Sequence, residues 1–265
     1  MKKRIVTIAL VVALLATCFA GTYAYLMDTD QVKNTMTVGN VTIEQLEYQR
    51  AAGVAHNATA TEGDLVPFVQ DQPMYPAIPT AAGAYTAEGT DLFKFGPYTS
   101  SGTAACGLFN DNKLSNQRDK FVFVKNTGKF DCYYRTIFAF ELPEGMEYDE
   151  DSPTKELYLN VNSSKSLTWE TLDCISIGGT RYLIMSATYN KVLEAGKTSI
   201  PTLLQVVLTD KTTNEDMALL GDTYDILTLS QAVQAAGFND ATTALDTAFG
   251  DVTPEAAAEW LKNVQ

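Results

Sequence analysis

Apolar and polar side chains alternate along much of the chain from residue 119 onward, most clearly between Cys132 and Leu142. One set of alternate side chains is Tyr134, Thr136, Phe138 and Phe140, and the other is Tyr133, Arg135, Ile137 and Ala139. Alternation with a period of two predicts a β-strand whose two sides lie in different surroundings. The turn sequence Pro143-Glu144-Gly145 then ends this strand.

Similar patterns predict further strands, separated by turn sequences such as Asn126-Thr127-Gly128 and Gly178-Gly179. These strands are predicted at residues 41–46, 66–69, 92–95, 121–124, 157–161, 167–172, 175–177, 181–189 and 198–209. Residues 222–235 fit both a strand and a helical stripe, and we favour a strand that continues through residue 234.

The C-terminal segment, residues 239–265, is predicted to be a helical tail. Residues 241–249 are rich in alanine, and Thr253-Pro254 is an N-cap followed by proline at the first helical position. Residues 51–116 are rich in Ala, Gly, Thr and Pro, which predicts a long loop-rich insertion. Roughly seven to ten strands with one or two C-terminal helices indicate a mainly β fold, an antiparallel β-sandwich.

The first 24 residues have the three regions of a cleavable signal peptide. Residues 1–4 are basic, and residues 5–16 form an apolar run without charge. Small residues follow, so we expect cleavage between Ala24 and Tyr25. Residues 25–265 are then expected to form a single domain, which is bound to the membrane only before cleavage.

Two other interpretations of this N-terminus stay open. The uncharged stretch from Ile5 to Met27 is long enough for a retained membrane anchor. The sequence Leu15-Ala16-Thr17-Cys18 loosely resembles a lipoprotein signal.

Cleavage makes an acidic protein more acidic. It removes three basic and no acidic residues, so the formal charge changes from −13 to −16, with 16 Lys and Arg against 32 Asp and Glu. Such a surface repels nucleic acid and anionic membranes, so neither is expected as a partner of the mature protein.

The residue types that enzyme sites need are sparse. His56 is the single histidine, and neither a His-Glu-x-x-His pair nor a Gly-x-Ser-x-Gly turn occurs. We therefore expect neither catalysis nor a cofactor. An acidic loop is a candidate for weak Ca²⁺ binding, although a hydrated surface loop is the favoured interpretation. Its carboxylates are Glu144, Glu147, Asp149, Glu150 and Asp151.

Three cysteines remain after cleavage: Cys106, Cys132 and Cys174. An oxidising compartment permits one disulfide and leaves one thiol. Because the cysteines are widely spaced and odd in number, we favour three small buried side chains.

Several segments, in order along the chain, resemble the TasA/camelysin family of proteins, whose signal peptides are cut by a SipW-type peptidase. They are residues 21–30 around the cleavage junction, 34–41 (Asn-Thr-Met-Thr-Val-Gly-Asn-Val), 121–128 (Phe-Val-Phe-Val-Lys-Asn-Thr-Gly) with Tyr134-Arg135, 193–198 and 232–238. The resemblance covers residues 1–50 and 119–240 and leaves the insertion unmatched.

The resemblance implies a jelly-roll β-sandwich that a Gram-positive-type bacterium secretes to its surface or into an extracellular biofilm matrix. It also implies self-association into fibres, in which an N-terminal strand of one copy completes the sheet of the next. We expect this donor strand to use Val32, Met36 and Val38. The specialised signal peptidase and other matrix or surface components are the further partners implied.

Two alternatives to a structural role stay open. One is a camelysin-type surface metallopeptidase, for which the sequence offers no recognisable zinc ligand set. The other is a surface module for glycans, with stacking groups in the insertion. Those aromatic residues are Tyr75, Tyr85, Phe93, Phe95 and Tyr98.

Overall fold

A computed structural model of the 265-residue chain describes residues 35–38, 40–51, 62–70, 117–150, 154–209, 211–220, 224–262 and 264. Within these ranges the chain forms twelve β-strands and three α-helices. The strands are β1 (Thr35–Val38), β2 (Ile43–Arg50), β3 (Leu65–Pro67), β4 (Gln117–Asp119), β5 (Phe121–Asn126), β6 (Cys132–Glu141), β7 (Tyr148–Asp149), β8 (Leu157–Val161), β9 (Leu167–Ile177), β10 (Thr180–Tyr189), β11 (Leu203–Leu208) and β12 (Ile226–Gln234). The helices are α1 (Asn214–Leu220), α2 (Ala241–Phe249) and α3 (Pro254–Leu261). The fold is mainly β, as predicted.

The strands form three sheets. The largest has the order β1-β12-β6-β10-β9, the second β4-β11-β8-β7 and the third β3-β2-β5. Most pairs are antiparallel, whereas β1–β12 and β7–β8 are parallel. Both parallel pairs involve an edge strand, so the interior of each sheet keeps the antiparallel arrangement that the sequence predicts.

Backbone hydrogen bonds join the second and third sheets into one layer. Thr202 N donates to Val122 O at 2.8 Å, and Lys120 N donates to Leu204 O at 3.0 Å. Side chains of this layer share an apolar core with the inner face of the five-stranded sheet. The two layers therefore form a β-sandwich.

β6 lies at the centre of the five-stranded sheet, and all ten of its residues are buried. Phe138 and Phe140 belong to the core between the layers. Ile137 and Ala139 belong to a second apolar cluster, together with Leu261 of α3. The predicted alternation of this strand is confirmed, and both of its sides are covered.

The C-terminal helices confirm the predicted tail. At the start of α2, Asp240 Oδ1 accepts a hydrogen bond from Thr243 N at 2.8 Å. At the start of α3, Thr253 Oγ1 accepts one from Ala256 N at 3.2 Å. Both helices pack on the outer face of the five-stranded sheet, and we call residues 240–262 the helical tail.

Some local predictions differ from the structure. Residues 167–177 form one strand rather than two, because β9 stays paired with β10 across a register shift. The strand predicted at 198–209 is shorter, since β11 begins at Leu203. The short strand expected at 66–69 lies at 65–67, whereas the one at 92–95 lies outside the described residues.

Candidate functional site

β1 lies at the edge of the five-stranded sheet. It runs parallel to β12, with Met36 beside Gln231 and Val38 beside Val233. Alternate side chains of a strand point to the same face, so Met36 and Val38 share the face that carries the helical tail. The other residues predicted here, Val32, Ala24 and Tyr25, lie outside the described residues.

Met36 is the apolar anchor of β1. It is half-buried and packs against the cluster that contains Leu229 and Leu261. Its Sδ accepts a hydrogen bond from Gln231 Nε2 at 3.7 Å. Val38, by contrast, is 42% exposed. The two described members of the predicted donor strand thus share a face but differ in how far they are covered.

The opposite face of β12 carries a polar cluster at Ser230, the residue beside Thr35 of β1. Ser230 Oγ donates to Gln45 Oε1 at 2.8 Å and lies 3.2 Å from Thr136 Oγ1. Gln45 Nε2 donates in turn to Glu47 Oε1 at 3.1 Å. Hydroxyl and amide groups therefore line the space between the two layers at Ser230, whereas Ala232, two residues further along β12, belongs to an apolar cluster with Val41 and Ile43.

Arg135 connects β12 to the helical tail beneath this edge. Its Nε donates to Gln231 Oε1 at 2.7 Å, Nη1 to Asp246 Oδ1 at 2.8 Å and Nη2 to Gly250 O at 2.7 Å. The guanidinium carbon lies 5.6 Å from the centre of the Trp260 ring. Burial lowers the pKa of Arg135 from its ordinary value, and the charge of Asp246 opposes that shift. An arginine keeps its proton in a protein, so this is a buried, paired cation.

The backbone is pinned shortly after β1 ends. Thr127 N and Gly128 N both donate to Thr42 O at 2.9 Å, and Val41 and Ile43 are buried. From Val41 onward the chain is therefore part of the sandwich body. β1 precedes this fixed point and is attached to the body mainly along β12.

Three carboxylates of the acidic loop form contacts with nearby protein groups. Glu147 pairs with Lys155, Asp149 Oδ2 accepts from Thr154 Oγ1 at 2.7 Å, and Glu150 lies near Thr171. In the part of the chain that the structure describes, no three potential ligands converge on a metal position. Asp151 lies outside that part, and weak Ca²⁺ binding here stays a prediction.

Cys132 and Cys174 are free thiols. Cys132 is buried, and burial, with a smaller contribution from Asp131, raises its pKa to about 12. The two residues are not joined by a disulfide in this structure, and Cys132 has the predicted place of a small buried side chain. Cys174 is only half-buried.

Several residues singled out from the sequence lie outside the described residues. They are His56, Tyr75, Tyr85, Phe93, Phe95, Tyr98 and Cys106. None of the helices among the described residues has the length and apolar character that crossing a bilayer requires.

Comparison with protein-family models and with curated proteins gives no match to this chain. The resemblance of its segments to the matrix and surface family therefore remains a prediction. The structural feature that bears on it is the short edge strand β1.

Proposed function

We propose that this chain is a secreted structural protein of the cell surface or extracellular matrix. In this proposal copies assemble into fibres when β1 of one copy leaves its own β12 and pairs with β12 of the next. The observation that carries the proposal is the placement of β1: a four-residue strand at a sheet edge, whose Met36 packs on an apolar cluster.

The attachment of β1 is weak by simple energetics. Each of its few ladder hydrogen bonds contributes about 0.5–1.5 kcal/mol, and burying Met36 contributes at most about 3 kcal/mol. Ordering each residue of the strand costs about 1–2 kcal/mol. The balance leaves at most a few kcal/mol in favour of the docked strand, so the strand is protected but can open without unfolding the sandwich.

Departure of β1 uncovers a row of backbone donors and acceptors on β12. A second copy's β1 supplies the same ladder and the same Met36 contact, because the two copies have identical sequences. Exchange between copies therefore loses no contact of this edge, and protein concentration decides the balance between the two arrangements.

In this proposal, cleavage between Ala24 and Tyr25 is the step that allows strand exchange to begin. Before cleavage the signal segment would tether the strand to the membrane, and afterwards residues 25–38 would have a free end. Assembly would then follow export. The proposed role is non-enzymatic, and the partner that it requires is a second copy of the chain.

Cross-linking between two populations of the protein tests the exchange. One population carries Val38→Cys and the other Val233→Cys, which are neighbours on β1 and β12. Both carry Cys106→Ser and Cys174→Ser, while the buried Cys132 is kept. After mixing, assembly and oxidation, we expect a covalent dimer that neither population gives alone.

A matched control replaces Val233→Cys with Val69→Cys, an exposed position that follows β3. This control is expected to give no dimer above background. Fibres without the Val38–Val233 cross-link would show that strand exchange is wrong. Failure of secreted, cleaved protein to assemble at all would overturn the structural role.

A further inference from the structure

The helical tail touches the same surface as β1. Met36 and four residues of the C-terminal segment pack against one apolar cluster, which includes Leu227 and Leu229 of β12. The four residues are Val252, Ala258, Trp260 and Val264. The covering of the β1 anchor is therefore continuous with the docking surface of the tail.

Gln231 links Arg135 to Met36 through its side-chain amide. Its carboxamide oxygen accepts from Arg135 Nε at 2.7 Å, so its amide nitrogen is the end that faces Met36 Sδ. Loss of the Arg135 contact would free the amide to rotate and would remove the reason for this orientation.

Two further donors of Arg135 go to the tail. Asp246 of α2 and the carbonyl of Gly250 each accept one hydrogen bond, and the Trp260 ring of α3 lies against the guanidinium. A buried arginine tolerates the loss of a carboxylate partner poorly, because its charge is then left uncompensated. Arg135 and Gln231 thus form a relay between the tail and the anchor of β1.

We propose that the docked helical tail is a latch that holds β1 on its own sheet, with Arg135 as the positioning residue that transmits the effect. Loosening of the tail frees Gln231 and uncovers Met36. The free energy needed to release β1 from β12 is then lower. This inference rests on the proposed function only for its consequence, the control of assembly. The latch itself is a property of the single copy.

The test measures local opening in the mature monomer by hydrogen exchange at a concentration too low for assembly. Asp246→Ala is expected to speed exchange of the amides in residues 35–38 by about tenfold, the effect of losing a charged hydrogen bond of ~1.5 kcal/mol. Amides in the centres of β6 and β10 should keep their protection. The matched control is Glu259→Gln, which removes a charge from an exposed side chain of α3 paired with Lys262.

Trp260→Leu provides a second variant if Asp246→Ala fails to fold, since it keeps an apolar side chain on the cluster and removes the ring that lies against Arg135. Faster exchange in residues 35–38 with either folded variant, but not with Glu259→Gln, supports the latch. Unchanged exchange in residues 35–38 overturns it, as does an equal acceleration throughout the sandwich.

The two proposals fail in different ways. If the Val38–Val233 cross-link between copies forms while Asp246→Ala leaves exchange in residues 35–38 unchanged, strand exchange stands and the latch is wrong. If exchange accelerates but no cross-link between copies forms, the latch stands within the single copy and the assembly proposal is wrong.

Discussion

Glu141, at the end of β6, is a buried carboxyl whose charge opposes folding. Its Oε2 accepts a hydrogen bond from Asp225 N at 3.0 Å. Burial raises the pKa of Glu141, this hydrogen bond lowers it in part, and the charge of Asp225 adds to the increase. A carboxyl with a raised pKa in the folded state stabilises the protein at low pH, and this stabilisation is lost as the pH rises through the folded pKa.

Glu141→Gln is therefore expected to raise the melting temperature at pH 7, because glutamine is uncharged and can still accept from Asp225 N. Below pH ~4 the wild-type carboxyl is protonated in both states and the difference should vanish. Thermal unfolding at pH 4, 5.5 and 7 measures this trend. A difference that grows as the pH falls would contradict the assignment.

Gly128, in the turn between β5 and β6, lies against the backbone that leads into β2. A Cβ atom added at Gly128 would lie 2.9 Å from Thr42 N and 3.2 Å from Asn126 Oδ1. The backbone of Thr42 cannot yield easily, because it is hydrogen-bonded to Thr127 and Gly128. This close approach holds the backbone at Thr42, immediately before β2 begins.

Gly128→Ala is expected to destabilise the protein by about 1–3 kcal/mol, the usual range for forcing an atom into a packed site. Urea unfolding of the mature monomer measures the change. Gly63→Ala is the matched control, since nothing lies within 4 Å of its added Cβ. Equal effects of the two substitutions would show that the contact with Thr42 is unimportant.

How far the elements could be predicted depends on whether their determinants are local. The alternation in β6 and the cap of α3 are local, and the structure contains them as predicted. The cap of α1 is local too: Thr213 Oγ1 accepts from Asp216 N at 3.2 Å, and Asp216 Oδ2 accepts from Thr213 N at 2.8 Å. This capping box was a readable signal for a helix that the strand pattern does not predict.

The features around β1 depend on distant residues and could not be predicted in this way. Met36 and Gln231 are 195 positions apart, and Arg135 and Asp246 are 111 apart. An alternating pattern says that a strand has two faces, but it does not say which strand lies beside it or in which direction. The resemblance predicts a donor strand, whereas the parallel pairing with β12 and the contacts of Arg135 are visible only in the structure.

The whole molecule carries a strong negative charge, which opposes contact between copies. With residues 1–24 removed the formal charge is −16. Repulsion between such molecules extends over about 30 Å at 10 mM salt and about 8 Å at 150 mM. Self-association should therefore be slow at low ionic strength.

The proposed fibre formation is expected to accelerate as NaCl rises from 10 to 150 mM, which light scattering of the protein without residues 1–24 can follow. Dilution of the same stock with sucrose instead of salt is the control for non-specific effects of the solute. Faster assembly at 10 mM would contradict this prediction. It would indicate that attraction between charged groups, rather than pairing at the sheet edge, determines the rate at which copies associate.

β1 and β12 are different surfaces of the molecule, so any fibre in which each copy passes β1 to the β12 of the next is polar. Each copy gives a strand on one side and receives one at another surface, so the contact is head-to-tail and has no twofold axis. The two ends of such a filament are chemically unlike: one presents a spare β1 and the other an uncovered β12. A copy that lacks residues 25–38 can only receive a strand, and it would stop growth at one end while the opposite end continued to elongate.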